Sequence, residues 1–196
     1  DISSDTQYWF HWLTDVDVCR SQIAWDTSEW TFYTGDGAPK ATYAALALTG
    51  GTDYPVAWRT LGIPAPSSAV TATVSETSTT GAIPETRVYT YTWVSKEAGF
   101  EMESAPAPPS GSTDSYLDTS VTLTAFSTIP SGTYNITHVR IYRATAGTYL
   151  YVDEIPVSQV IYEDTVSADA LGNELPSLTW DMPPSRSEEH TSELQS

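Results

Sequence analysis

The sequence predicts an all-β protein of the sandwich class, and three observations carry the prediction. Aromatic residues make up 12% of the chain and charged residues only 17%, and Ser and Thr are abundant, a composition that suits half-buried strands. Short runs alternate apolar and polar side chains with period two and recur roughly every ten residues between turn signals. Stretches rich in helix formers are scarce. With 40% hydrophobic residues the chain can build a core, which argues against disorder.

The elements follow in order. Residues 8–18 alternate aromatic and aliphatic with polar residues, and residues 30–34 do the same before the turn signal Thr34-Gly35-Asp36-Gly37. Residues 41–48 fit a short helix or another strand, since periodicity does not decide at that length. The connector Leu61-Gly62-Ile63-Pro64-Ala65-Pro66 is extended, because each proline disfavours helix in the residue before it. Residues 70–74 read as a strand and 77–81 as a polar loop. Residues 88–94 form a strong strand, with Tyr89, Tyr91 and Trp93 facing one way and Val88, Thr90, Thr92 and Val94 the other. Residues 96–103 read as a turn and an exit, and 105–112 as a Pro/Gly/Ser loop. Val121, Leu123 and Ala125 share one face of the next strand. Val139 and Ile141 alternate with His138, Arg140 and Tyr142. Ala146-Gly147-Thr148 turns the chain into a hairpin partner over 149–154, and 160–162 is a last short strand. Val121, Leu123, Val139, Ile141, Leu150, Val152 and Ile155 are the expected core between two antiparallel sheets.

At 196 residues the chain fits one domain or two small ones. A net charge of −17 argues against a nucleic-acid partner and against docking on an anionic membrane. The longest apolar run, residues 43–48, is far too short for a membrane-spanning helix. The single cysteine, Cys19, excludes a disulfide within the chain and any one-chain zinc site built on two cysteines.

Both ends read as non-natural. The chain opens on Asp1, and residues 1–7 contain no apolar signal region, so the expectation is a start inside a longer protein or after processing. Residues 186–196, Arg-Ser-Glu-Glu-His-Thr-Ser-Glu-Leu-Gln-Ser, resemble the in-frame translation of a common sequencing adapter. They are expected to be a non-native tail that contributes nothing to fold or function.

Two resemblances rest on particular residues. Arg87-Val88-Tyr89-Thr90-Tyr91-Thr92-Trp93-Val94, then Gly99-Phe100-Glu101-Met102-Glu103-Ser104-Ala105-Pro106, resembles the closing strands of a fibronectin type III-like module. Val139-Arg140-Ile141-Tyr142-Arg143, residues 149–155 and residues 160–165 resemble its middle strands. The closing-type strands come first, which implies a permuted or inserted fibronectin III/immunoglobulin-like sandwich. More widely, residues 15–24, Tyr33-Thr34-Gly35-Asp36-Gly37-Ala38-Pro39-Lys40, Tyr54-Pro55, residues 61–66, Leu171-Gly172-Asn173-Glu174-Leu175-Pro176-Ser177 and Trp180-Asp181-Met182-Pro183-Pro184 are similar to tailed-bacteriophage virion proteins of the tail-nozzle or tail-tubular kind. Those proteins combine a β-propeller-like body with sandwich insertions. The resemblance implies a structural part in the phage tail.

The chemistry-bearing residues have plain readings. Asp15 and Asp17 share a strand face, but neither a second carboxylate pair for glycoside cleavage nor enough oxygens for a divalent metal accompanies them. Asp36 is expected to bond its own turn backbone. His11 and His138 stand alone. No Gly-x-Ser-x-Gly, His-Glu-x-x-His or phosphate-loop motif is present. Asn135-Ile136-Thr137 is a formal glycosylation sequon that would carry no sugar in a phage protein. Arg140 and Arg143 are expected to form cross-strand salt bridges to Asp153 or Glu154. Five of the seven tryptophans, Trp9, Trp12, Trp25, Trp30 and Trp58, lie in the first 58 residues and read as core or as an assembly interface, with a sugar-stacking platform as the alternative.

The expected organisation is a partial β segment of a larger propeller-like domain over 1–66, a fibronectin III-like sandwich over 67–176, a connector over 177–185 and the non-native tail over 186–196. The expected function is non-catalytic: tail assembly or an adhesion spacer in the virion, with other phage tail subunits as partners in a homo-oligomeric assembly. A glycan-binding module for the host surface is the alternative, and a tail-associated glycan hydrolase comes last. No catalytic, metal or cofactor site is expected.

Overall fold

The computed structural model describes residues 8–23, 26–74, 84–116 and 119–180. These residues are mainly β. The first sheet comprises β1 (Asp17–Arg20), β2 (Thr31–Thr34), β3 (Lys40–Thr42) and β4 (Arg59–Thr60), antiparallel and in that order. Between β3 and β4 lies a single helical turn, α1 (Ala44–Ala47), so residues 41–48 divide into the end of a strand and a helix.

The rest of the described chain forms three more sheets. β5 (Thr71–Val74), β10 (Val121–Thr124) and β13 (Tyr162–Asp164) make a three-stranded sheet with β10 at its centre. β7 (Tyr89–Glu97), β8 (Phe100–Glu103), β11 (His138–Thr145) and β12 (Thr148–Pro156) make a four-stranded sheet in the order β12-β11-β7-β8. β6 (Pro84–Arg87) and β9 (Thr113–Tyr116) form a separate pair. Both hairpins of the four-stranded sheet turn on an Ala-Gly pair, Ala98-Gly99 and Ala146-Gly147. All four residues have positive φ, as a two-residue turn matched to strand twist requires.

The three- and four-stranded sheets pack face to face. Val121, Leu123 and Tyr162 from one meet Tyr89, Tyr91, Trp93, Val139, Ile141, Val152 and Ile155 from the other in one buried cluster. Burial of each of these large side chains contributes about 1.5–3 kcal/mol. Six of the seven expected core residues are buried there; Leu150 is only half-buried. The reason is a β-bulge. Ile141 pairs with Asp153 but Tyr142 pairs with Tyr151, so β12 carries an extra residue. The bulge turns Val152 and Ile155, three apart, to the same core, and Leu150 falls at its rim. Ile63, from the Pro-punctuated connector, also enters this core.

Beside β7, the loop after β8 follows the strand closely. Ala107 N donates to Tyr91 O and Ser110 N to Tyr89 O, both at 2.8 Å. This explains how a Pro-rich stretch remains ordered along a sheet edge without counting as a strand.

Candidate interaction surface

The register of the first sheet sorts its side chains onto two faces. Phe32 pairs with Ala41 and Cys19, while Tyr33 pairs with Val18 and Lys40. Trp30 and Phe32 therefore look one way, and Val18, Arg20, Thr31 and Tyr33 the other.

The Trp30 face docks on the β7–β8 hairpin turn. Trp30 is 3% exposed, its ring lies 5.0 Å from Phe100, and Phe32 lies 5.4 Å from the same ring. The Trp30 indole N–H and the Ser28 hydroxyl both donate to Ala98 O at 3.0 Å. Glu97 anchors the other side of the turn. It accepts from Arg59 Nε, from Arg59 Nη2 at 2.6 Å, from Tyr43 OH at 3.0 Å and from Asn135 Nδ2 at 2.9 Å. The Arg59 hydrogen bonds hold the Glu97 carboxyl below its usual range, against the opposing effect of burial. The sequon residue Asn135 thus spends its amide on Glu97.

The opposite face is open. Trp12 packs against Tyr33 at 5.1 Å and Phe10 at 6.1 Å, and it lines a groove of about 710 Å³ with Tyr8, Trp9, Val18, Arg20 and Glu29. Two of its apolar lining side chains are exposed, Trp9 at 79% and Val18 at 50%, and Leu13, next to Trp12 in the chain, is 99% exposed. On the same face Trp58 lies under Lys40, whose Nζ is 4.4 Å from the ring centroid. Against the expectation that Asp36 bonds its own turn backbone, its carboxylate accepts from Lys40 Nζ at 2.6 Å, four residues on.

The five tryptophans singled out by the sequence therefore divide. Trp9 and Trp12 belong to the open face, Trp58 to its Lys40-covered part, and Trp30 to the buried junction. Trp25 lies outside the described residues. Tyr8 and Val18 join the face without having been singled out. Their signal was the apolar alternation of residues 8–18, a stretch where only Asp17–Arg20 and an isolated bridge at Phe10 became β structure.

Two polar clusters lie elsewhere. On the outer face of the four-stranded sheet, Arg140 bridges three carboxylates: Glu103 at 2.6 Å, Glu154 at 2.7 Å and Glu101 at 2.8 Å. Burial opposes the charge, yet these partners raise the Arg140 pKa still further. The Arg140–Glu154 pairing agrees with the sequence expectation. Arg143 does not share it. Lying on the core-facing side with Val139 and Ile141, it crosses to Asp164 of the opposing sheet at 2.6 Å, and both side chains are 0% exposed. Tyr89 OH donates to the same carboxylate oxygen at 2.7 Å.

Among the described residues no group of three His, Cys, Asp or Glu side chains could hold a metal ion, and no helix is long and apolar enough to cross a membrane. No protein-family model matches the chain, and neither a curated protein nor a solved structure matches it significantly.

Proposed function

We propose that this chain is a structural segment of a tailed-phage virion that works by assembly and not by catalysis. The observation that carries the reading is the open face of the first sheet, where Trp9 and Val18 stand in solvent at an aromatic groove, with the fully exposed Leu13 following Trp12 in the chain. Contiguous exposed apolar surface of this kind marks a protein–protein contact. The tail-protein motifs of residues 15–66 and 171–184 support a tail subunit as the partner and the virion as the location. They also support reading residues 1–66 as part of a propeller-like body.

The sandwich is read as a permuted fibronectin type III-like module. In such modules the closing strands lie beside a middle strand in one sheet. Here the closing-type strands β7 and β8 lie beside β11 and β12 in the four-stranded sheet, although they come earlier in the chain. This order is consistent with permutation or insertion, and the sandwich would project as a spacer or adhesion module.

The test is location. Antibody against the chain should label the tails of purified particles from the phage that encodes it, and Trp9→Ser with Leu13→Ser should reduce incorporation while leaving the melting temperature nearly unchanged. Labelling confined to the soluble lysate, with unlabelled particles, would refute the reading.

A second reading, host-glycan binding, is favoured by one observation: Tyr8 and Trp9 present exposed rings at a groove that also carries Arg20 and Glu29. Glycan-array binding that is lost in Trp9→Ala would move the assignment there.

A further inference from the structure

We propose that the outer edge of β1 pairs antiparallel with β1 of a second copy of this chain, about a two-fold axis at Cys19, so that two first sheets join into one. The inference deepens the assembly reading by naming one partner, and it rests on the register and backbone phase of the first sheet.

β1 is the end strand of its sheet, and no described strand pairs with its other side. Its ladder to β2 runs unbroken from Asp17 to Arg20, with neither a bulge nor a proline to blunt the edge. Val18, Cys19 and Arg20 are all exposed. The fold covers another edge directly: residues 172–175 run along β12, where Tyr151 N donates to Asn173 O and Leu175 N to Tyr149 O, both at 2.9 Å.

The backbone phase of β1 follows from Ser21 N, which donates to Trp30 O at 2.8 Å. Hydrogen-bonded pairs alternate along an antiparallel ladder, so Cys19–Phe32 and Asp17–Thr34 are of the same kind. Val18 and Arg20 therefore turn their N–H and C=O groups to the outer edge. There Arg20 O accepts from the Cys19 thiol at 3.3 Å, a weak donor.

The residues of this edge select a second copy. A two-fold normal to the sheet keeps every side chain on its own face. With Cys19 on the axis, Val18 stands opposite the second copy's Arg20 and Asp17 opposite its Ser21. Each Val18–Arg20 pair then exchanges both of its ladder hydrogen bonds. Placing Val18 on the axis instead would need Val16, which lies beyond the β1–β2 ladder. The chain carries a net charge of −17, but β1 holds one acid and one base, and the pairing does not set acid on acid. Asp17 and its copy stand four residues apart along the ladder, roughly 13 Å. Glu29, which lines the groove with Arg20, offsets the two arginines that flank the axis. The same symmetry leaves both aromatic grooves on one face, side by side, with Val18 and Arg20 of each copy at the junction.

The experiment is sedimentation equilibrium of the full chain with a reductant present. The expected result is a monomer–dimer equilibrium. Val18→Lys should weaken it about tenfold, because a lysine then faces the second copy's Arg20 at both ends of the pair, and Val18→Glu should tighten it. Val18→Pro removes an outward N–H and no bond to β2, so it should abolish the dimer at a nearly unchanged melting temperature. Without reductant, diamide should link the two Cys19 side chains in wild type and not in Val18→Lys. The two thiols give up two protons and two electrons to the N=N bond of diamide, and opposed residues of a non-hydrogen-bonded pair lie about 4.5 Å apart, within disulfide range. A monomer at every concentration reached, or a dimer that Val18→Lys and Val18→Glu shift in the same direction, would overturn the proposal. Tail labelling is read on particles, so failure here leaves the assembly reading standing.

Discussion

Replacing Asp164 by Asn removes one charge at nearly constant shape, and the structure sets the expected cost. The Asp164 carboxylate is fully enclosed and accepts from Arg143 Nη1, Tyr89 OH and Val166 N. The amide oxygen can keep the Val166 contact, but Arg143 is left as a buried cation without its counter-charge. Breaking a buried pair from one side costs about 3–5 kcal/mol. For a chain of this length a loss of 1 kcal/mol lowers the melting temperature by about 2–4 °C, so the expected drop is roughly 6–20 °C. The double variant Asp164→Leu/Arg143→Met removes both charges and should cost much less than the single one, because the penalty comes from the uncompensated charge and not from the lost contact. The assay is thermal and urea unfolding of the single and double variants at constant pH and ionic strength. A loss below about 1 kcal/mol in Asp164→Asn, or a double variant less stable than either single one, would refute the reasoning.

Three further outcomes are expected. Glu97→Ala should cost about 1–3 kcal/mol by leaving Arg59 and Tyr43 without their acceptor at the junction. Because the folded Glu97 pKa lies below its unfolded value of about 4.5, its contribution is present above that pH and is lost as pH falls through the folded value; a wild-type advantage over Glu97→Ala that persists undiminished at lower pH would contradict this. Gly35→Ala should destabilise the β1–β2 region by more than about 1 kcal/mol, since φ is +99° and a Cβ would stand 2.2 Å from the Asp15 carbonyl oxygen; a melting curve identical to wild type would count against the turn. A fragment starting at Gly62 should be more stable than one starting at Ser67, because only the longer one keeps Ile63, whose loss should cost about 2–5 kcal/mol by urea unfolding; equal midpoints would show that Ile63 contributes nothing.

Composition and period-two alternation were enough to establish an all-β chain and most of its core, because alternation depends only on which face of a strand is dry. Tyr89, Tyr91 and Trp93, and Val139 with Ile141, were legible for that reason. The Ala146-Gly147 hairpin was legible because its turn chemistry is local.

Other features depended on partners distant in sequence. The bulge that turns Val152 and Ile155 inward and leaves Leu150 at the rim exists only once β11 and β12 pair. Arg143 has the same local surroundings as Arg140, yet it lies on the core-facing side, and its counter-charge comes from a strand in the opposing sheet, 21 residues on. Trp9 and Trp30 are equivalent in a composition, but one stands in solvent and the other is sealed by Phe100 and Ala98 of the sandwich. A sequence specifies which side chains seek burial and which way they alternate; which of them find a partner is decided by packing between segments that the chain does not place side by side.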